Sequence, residues 1–129
     1  MLTQPTGVTP TLFKTAATIA SISAVHHIYY GFAELYPAWN LLPSKPQRAA
    51  RTGWDYMNVS YAITILLNLK WARNQGPGGI EEEGMLAAMV LGGVVEGWRS
   101  LRNGEYLPLI AFWGIPGLSL AGAILKQYT

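Results

Sequence analysis

The chain has 129 residues, of which 50% are apolar and only 12% charged, with a formal net charge of +2 and no cysteine. That balance excludes a nucleic-acid binder, which needs a basic face interleaved with aromatics, and it excludes disulfides, thiolate chemistry, iron–sulfur clusters and cysteine-held zinc. Soluble domains are about 25% charged, so the composition points to an apolar surrounding, and the length is that of one domain.

Four stretches run with few charges: Leu12–Leu35, Trp54–Leu69, Met85–Val95 (extended by Glu96–Trp98) and Leu107–Leu125. A helix that crosses lipid needs about 20 mainly apolar residues, which the first and last stretches supply and the middle two reach with their flanks. The expectation is an all-α, four-helix up-and-down transmembrane bundle that occupies residues 1–129 as a single integral membrane domain. A mean hydropathy of +0.20 is modest for four spans, and a soluble helical bundle, or a subunit buried in a larger assembly, is the alternative.

Taken in chain order, Met1–Pro10 lacks a basic segment and a small-residue cleavage site, which predicts an uncleaved insertion signal in the first helix. Thr9-Pro10 predicts the start of that helix, a hydroxyl cap followed by proline in the first turn, and Pro37 predicts its end. The connection Ala38–Thr52 is polar and basic, with Lys45, Arg48 and Arg51 among its residues. The second helix is expected from Thr52 to Ala72, followed by the turn Asn74-Gln75-Gly76-Pro77-Gly78-Gly79. The third opens on Glu81, Glu82 and Glu83, favourable at the positive end of a helix dipole, and runs to Arg99–Arg102. Asn103-Gly104 makes a turn, and the fourth runs from Tyr106 to Lys126, bent at Pro116.

Gly93 and Gly97 form a G-x-x-x-G pair, and Gly117 with Ala121 a second pair of small residues. Packing within one bundle is the preferred reading of both, with a homo-oligomer interface as the other. Tyr36, Trp39, Trp54 and Tyr56 read as an interfacial aromatic belt.

Up-and-down topology places the polar residues of the helices in one half of the membrane. His27, Tyr30 and Glu34 fall at i, i+3 and i+7; Asp55 and Asn58 share a face of the second helix, and Glu96 and Arg99 a face of the third. Trp113 lies at matching depth in the fourth. Ionisable groups in a span cost about 2.5–3.5 kcal/mol each and face inward to partners or a cavity. One shared polar pocket is therefore expected.

Two carboxylates in an apolar pocket are driven toward different pKa values, so that one serves as acid and the other as base. The expected pair is Glu96 and Asp55, with His27 and Glu34 as second choice. Asn58 and Tyr30 would orient a substrate oxygen, Arg99 would tune Glu96, and Trp113 would face a cationic centre. The expected activity is isomerisation, cyclisation or epoxide opening of a lipophilic isoprenoid, sterol or polyketide, with the lipid bilayer as surrounding and no cofactor or metal. The general plan of four helices with intramembrane carboxylates and a tryptophan resembles that of small membrane sterol isomerases; the resemblance is one of plan, without a shared motif, and carries over no residues. Two other expectations stand beside it: a non-catalytic assembly subunit of a membrane complex, and haem or pigment ligation by His26 or His27.

Overall fold

The computed structural model describes residues 7–126. The reading of Met1–Pro10 as an insertion signal falls largely outside that range. The described chain is all-helical and forms four rods. The first is α1 (Val8–Tyr30), which passes through a π-helical turn, Gly31–Leu35, into the short α2 (Tyr36–Trp39). The second is α3 (Ser44–Asn74), the third α4 (Ile80–Arg102), and the fourth a π turn, Ile110–Gly114, that runs into α5 (Ile115–Lys126).

Several boundaries near prolines differ from expectation. Gly7, not Thr9, is the N-cap of α1, at φ 134°; no side chain caps the helix, and Thr11 Oγ1 donates back to the Gly7 carbonyl at 2.7 Å. Pro10 sits in the first turn, where its missing N–H leaves no gap. The same reason lets α3 begin at Ser44 with Pro46 in its first turn, so most of the expected basic loop is helix.

Pro37 does not end the first rod. Its ring would collide with the carbonyl four residues back in a regular α-helix. The preceding turn widens instead, and the Tyr36 N–H bonds to Gly31 O, five residues back. The fourth rod repeats the device: the π turn Ile110–Gly114 ends immediately before the dipeptide Ile115-Pro116. Both rods thus continue through their proline.

The hairpin between α3 and α4 follows the expected turn. Gln75 is left-handed at φ 59° and Gly76 at φ 126°, and the Gly76 N–H closes on Trp71 O at 2.8 Å. Glu82 then clamps the hairpin. Its carboxylate takes an ion pair from Lys70, the Trp71 indole N–H at 2.7 Å and the Gly78 N–H at 3.2 Å. These donors hold its pKa below the ordinary carboxylate value, the Lys70 bond most of all.

α1 packs against α3 and α5, while α4 packs on the fourth rod. Phe13, Trp71, Ala72 and Leu86 form one core cluster, and Ala16, Ala20 and Ile115 another. The G-x-x-x-G pair is a seam within the bundle, as preferred. A Cβ at Gly93 would lie 2.1 Å from Phe112 O, and one at Gly97 2.0 Å from the Trp113 indole nitrogen. The Phe112 carbonyl is the one Pro116 has no N–H to satisfy, and it is turned onto the only kind of residue that admits it.

No helix among the described residues is long and apolar enough to cross a membrane. Hydroxyls and two histidines dilute α1, charges occupy both ends of α4, and the π turn shortens the α-helical part of the fourth rod. The interior mixes large apolar side chains, Phe13, Trp71, Leu86 and Ile115, with small and polar ones. Small and polar residues are buried, among them Ala16, Ala20, Gly93, Gly97, Gly122, Asn68, Ser119 and His27, while Ile22, Val25, Phe32, Leu66, Leu91 and Val94 are exposed.

Candidate functional site

His27 sits one turn before the π turn of the first rod and faces α3. It is 5% exposed. Its ring stacks on Trp54 with centroids 3.8 Å apart and planes 11° from parallel, and Tyr61 covers it at 5.4 Å. Gly31 makes room for that stack, since a Cβ there would lie 2.5 Å from the Trp54 indole nitrogen. The same indole N–H donates to the His27 carbonyl at 3.3 Å.

His27 Nδ1 lies 3.0 Å from Asn58 Oδ1. That oxygen only accepts, so the proton of the bond is on Nδ1. Nε2 is buried and has no partner among the described residues. A second proton there would be a charge sealed away unpaired, at a cost of several kcal/mol, so the imidazole is neutral with its lone pair on Nε2. A base with one nitrogen anchored and the other unengaged is the arrangement that proton transfer needs.

Asp55 lies one turn before Asn58 on α3. It accepts the Tyr36 hydroxyl, whose pKa is raised chiefly by that bond, and Arg51 lies over the Tyr36 ring at 4.4 Å. Tyr36, Trp39 and Trp54 continue as a ring chain with centroids 6.0 Å apart at each step. These three were read from the sequence as a membrane-interface belt. Trp54 links the three to His27, and Tyr56 is exposed.

Seven of the eight expected site residues divide into two groups, and Glu34 belongs to neither. His27, Asn58, Asp55 and Tyr30 meet on the α1–α3 side, Tyr30 through its ring contact with Trp54 at 6.3 Å. Glu96 and Arg99 form an i,i+3 ion pair at 2.7 Å on α4, and Trp113 lies in the seam at Gly97. Glu34 is exposed on the π turn. Among the described residues no hydrogen bond or ion pair joins Glu96 to Asp55 or to Glu34.

A cleft of about 130 Å³ opens between α3 and α4 above the Glu82 clamp, floored by the fourth rod. α3 contributes Met57, Ser60, Tyr61 and Thr64; α4 contributes Met89 and Gly93; the floor is Ala111, Phe112, Ile115 and Pro116. Tyr61 therefore both lines the cleft and contacts the His27 ring. Glu96 follows Met89 by seven residues, which places it two turns further along the same face of α4, and it is not among the residues that line the cleft. At the foot of the bundle Ser119 donates to Asn68 Oδ1 at 2.7 Å, with both residues buried.

Sequence reading missed Trp54 and Tyr61 as partners of His27. The signal was the spacing of Trp54, Asn58, Tyr61 and Asn68, a ring-and-amide stripe at intervals of three, four and seven on one face of α3. No protein-family model matches this chain, and no curated protein or solved structure shows significant similarity to it.

Proposed function

We propose that the protein is an integral membrane enzyme that performs acid–base chemistry, isomerisation, cyclisation or epoxide opening, on a lipophilic small molecule held in the α3–α4 cleft. The membrane part of this reading is supported by the small residues at the helix contacts and by the many large aliphatic side chains left exposed. Close helix contacts through Gly, Ala and Ser, with large aliphatics outside, are what packing in lipid favours, because lipid offers no hydrophobic drive between helices.

The observation that carries the catalytic part is the lone pair of His27 Nε2, buried without a partner beside an aromatic wall of the cleft. In this reading Tyr61 presents its hydroxyl to the substrate. His27, anchored by Asn58 and stacked on Trp54, is the base behind it, and proton exchange between the two requires the Tyr61 ring to swing its hydroxyl onto the unengaged Nε2. This assigns the base to the second-choice residue of the sequence analysis. Glu96 is engaged by Arg99, and Asp55 by Tyr36, so each carboxylate already has a partner for its charge.

The test is an assay of the purified protein in lipid nanodiscs with an extract of neutral lipids, followed by chromatography and mass spectrometry. Isomerisation or cyclisation leaves the mass of one component unchanged and moves its retention; epoxide opening adds one water. His27→Gln and Tyr61→Phe are expected to lower turnover by about 100-fold or more, the usual worth of general acid–base catalysis. Residual activity of His27→Gln should lose the fall in rate at acid pH that protonation of a base imposes. Glu96→Gln should keep most activity. Full turnover in both His27→Gln and Tyr61→Phe, or its loss in Glu96→Gln alone, removes this mechanism.

A further inference from the structure

The cleft contains information about the head of the molecule it accepts, an inference that rests on the proposed cleft-binding function and deepens it. In α1, Thr11, Thr15, Thr18 and Ser21 each return their hydroxyl to a carbonyl four residues back. Ser60 and Thr64 are spaced so that they could do the same, yet the hydroxyls of Ser60, Tyr61 and Thr64 make no hydrogen bond to any described residue. All three belong to the α3 wall, and the lining opposite and beneath them is Met89, Gly93, Ala111, Phe112, Ile115 and Pro116. One wall offers donors and acceptors in a row, and the others offer none from their side chains.

Size narrows the occupant. An enclosed cavity of about 150 Å³ takes up one benzene ring, so about 130 Å³ accommodates one six-membered ring or one isoprene-sized unit. The cleft is lined by α3 on one side and α4 on the other and is not enclosed, so a longer molecule has a way out. We propose that the cleft takes the oxygen-bearing head of an isoprenoid-type lipophile. Its single hydroxyl, carbonyl or epoxide oxygen meets Ser60, Tyr61 and Thr64, and its hydrocarbon tail leaves through the gap between α3 and α4. A plain hydrocarbon of the same shape would leave the hydroxyl row without partners and should bind less tightly.

Methionine methyl NMR tests this on the whole protein in detergent. Met57 and Met89 line the cleft, while Met85 is exposed on α4 and reports non-specific partitioning. Geraniol is expected to shift Met57 and Met89 at concentrations that leave Met85 unmoved, and to do so at about one tenth the concentration that 2,6-dimethyloctane requires, the effect of about one net hydrogen bond. Ser60→Ala combined with Thr64→Val should narrow that tenfold gap while leaving the response to the hydrocarbon intact. Equal titration by alcohol and hydrocarbon overturns the assignment of the hydroxyl row but leaves a cleft ligand in place. Shifts at Met85 that match those at Met57 and Met89, or no response at Met57 and Met89 to either probe, overturn both this inference and the function it rests on.

Discussion

The two sides of this bundle are held by different means. Between α1 and α3 the contacts are rings and polar side chains: His27 on Trp54, Asn58 on His27, Tyr36 on Asp55. Between α4 and the fourth rod they are glycine against backbone and indole, with Gly93 beneath the Phe112 carbonyl and Gly97 beneath Trp113. A side chain can rotate away from an intruder, whereas a backbone carbonyl in a packed helix cannot without moving the helix. The first side can therefore be retuned residue by residue, and the second is a rigid seam that fixes where the cleft floor lies.

Adding one methyl group to each side is the sharpest way to break this comparison. Gly93→Ala meets the Phe112 carbonyl at 2.1 Å and should cost about 3 kcal/mol, the upper end of overpacking penalties, read as a fall in thermal midpoint in detergent. Gly31→Ala meets the Trp54 indole at 2.5 Å, and the ring can turn aside. About 1 kcal/mol is expected there, together with a change in the His27 imidazole NMR resonances as the stack is lost. Equal losses at the two glycines would end the distinction. Ser119→Ala, which strips a buried bond from Asn68 on the shared interior, should fall between them at about 1–2 kcal/mol.

Smaller effects test the hairpin and the Glu96–Arg99 pair. The Glu82 carboxylate has a folded pKa below its unfolded value, so its contribution is complete above the ordinary glutamate range and is lost as pH falls through the lowered folded value. Amide exchange of residues 75–79 should accelerate selectively on acidification through and below that range, and Glu82→Gln should remove that pH dependence. The smallest effect is expected from Glu96→Gln, whose ion pair with the largely exposed Arg99 contributes at most about 0.5 kcal/mol.

Much of this architecture was legible in the sequence. The four helical rods, the Asn74–Gly79 turn, the Gly93–Gly97 pair and the shared face of Asp55 and Asn58 all follow from period and composition. What periodicity could not give was the contact between faces of different helices. Glu96 and Asp55 were placed at one depth by topology, but depth does not set rotation, and each carboxylate found a neighbour nearer in sequence. Helix ends were misjudged where proline was treated as a stop. At Pro46 its position in a first turn made it harmless, and at Pro37 a local widening of the helix absorbed it. The expectation that single helices would qualify as membrane spans failed on the polar residues and charges that the helices retain.

The two widened turns bear on descent. Each spends one residue more than a regular α-helix over the same rise, just upstream of a proline. A related chain that lacks the proline has no need of the surplus residue. Aligned sequences should thus show single-position gaps in Gly31–Leu35 or Ile110–Gly114 that come and go together with Pro37 or Pro116, a paired insertion mark by which distant kin could be traced after the rest of the sequence has drifted.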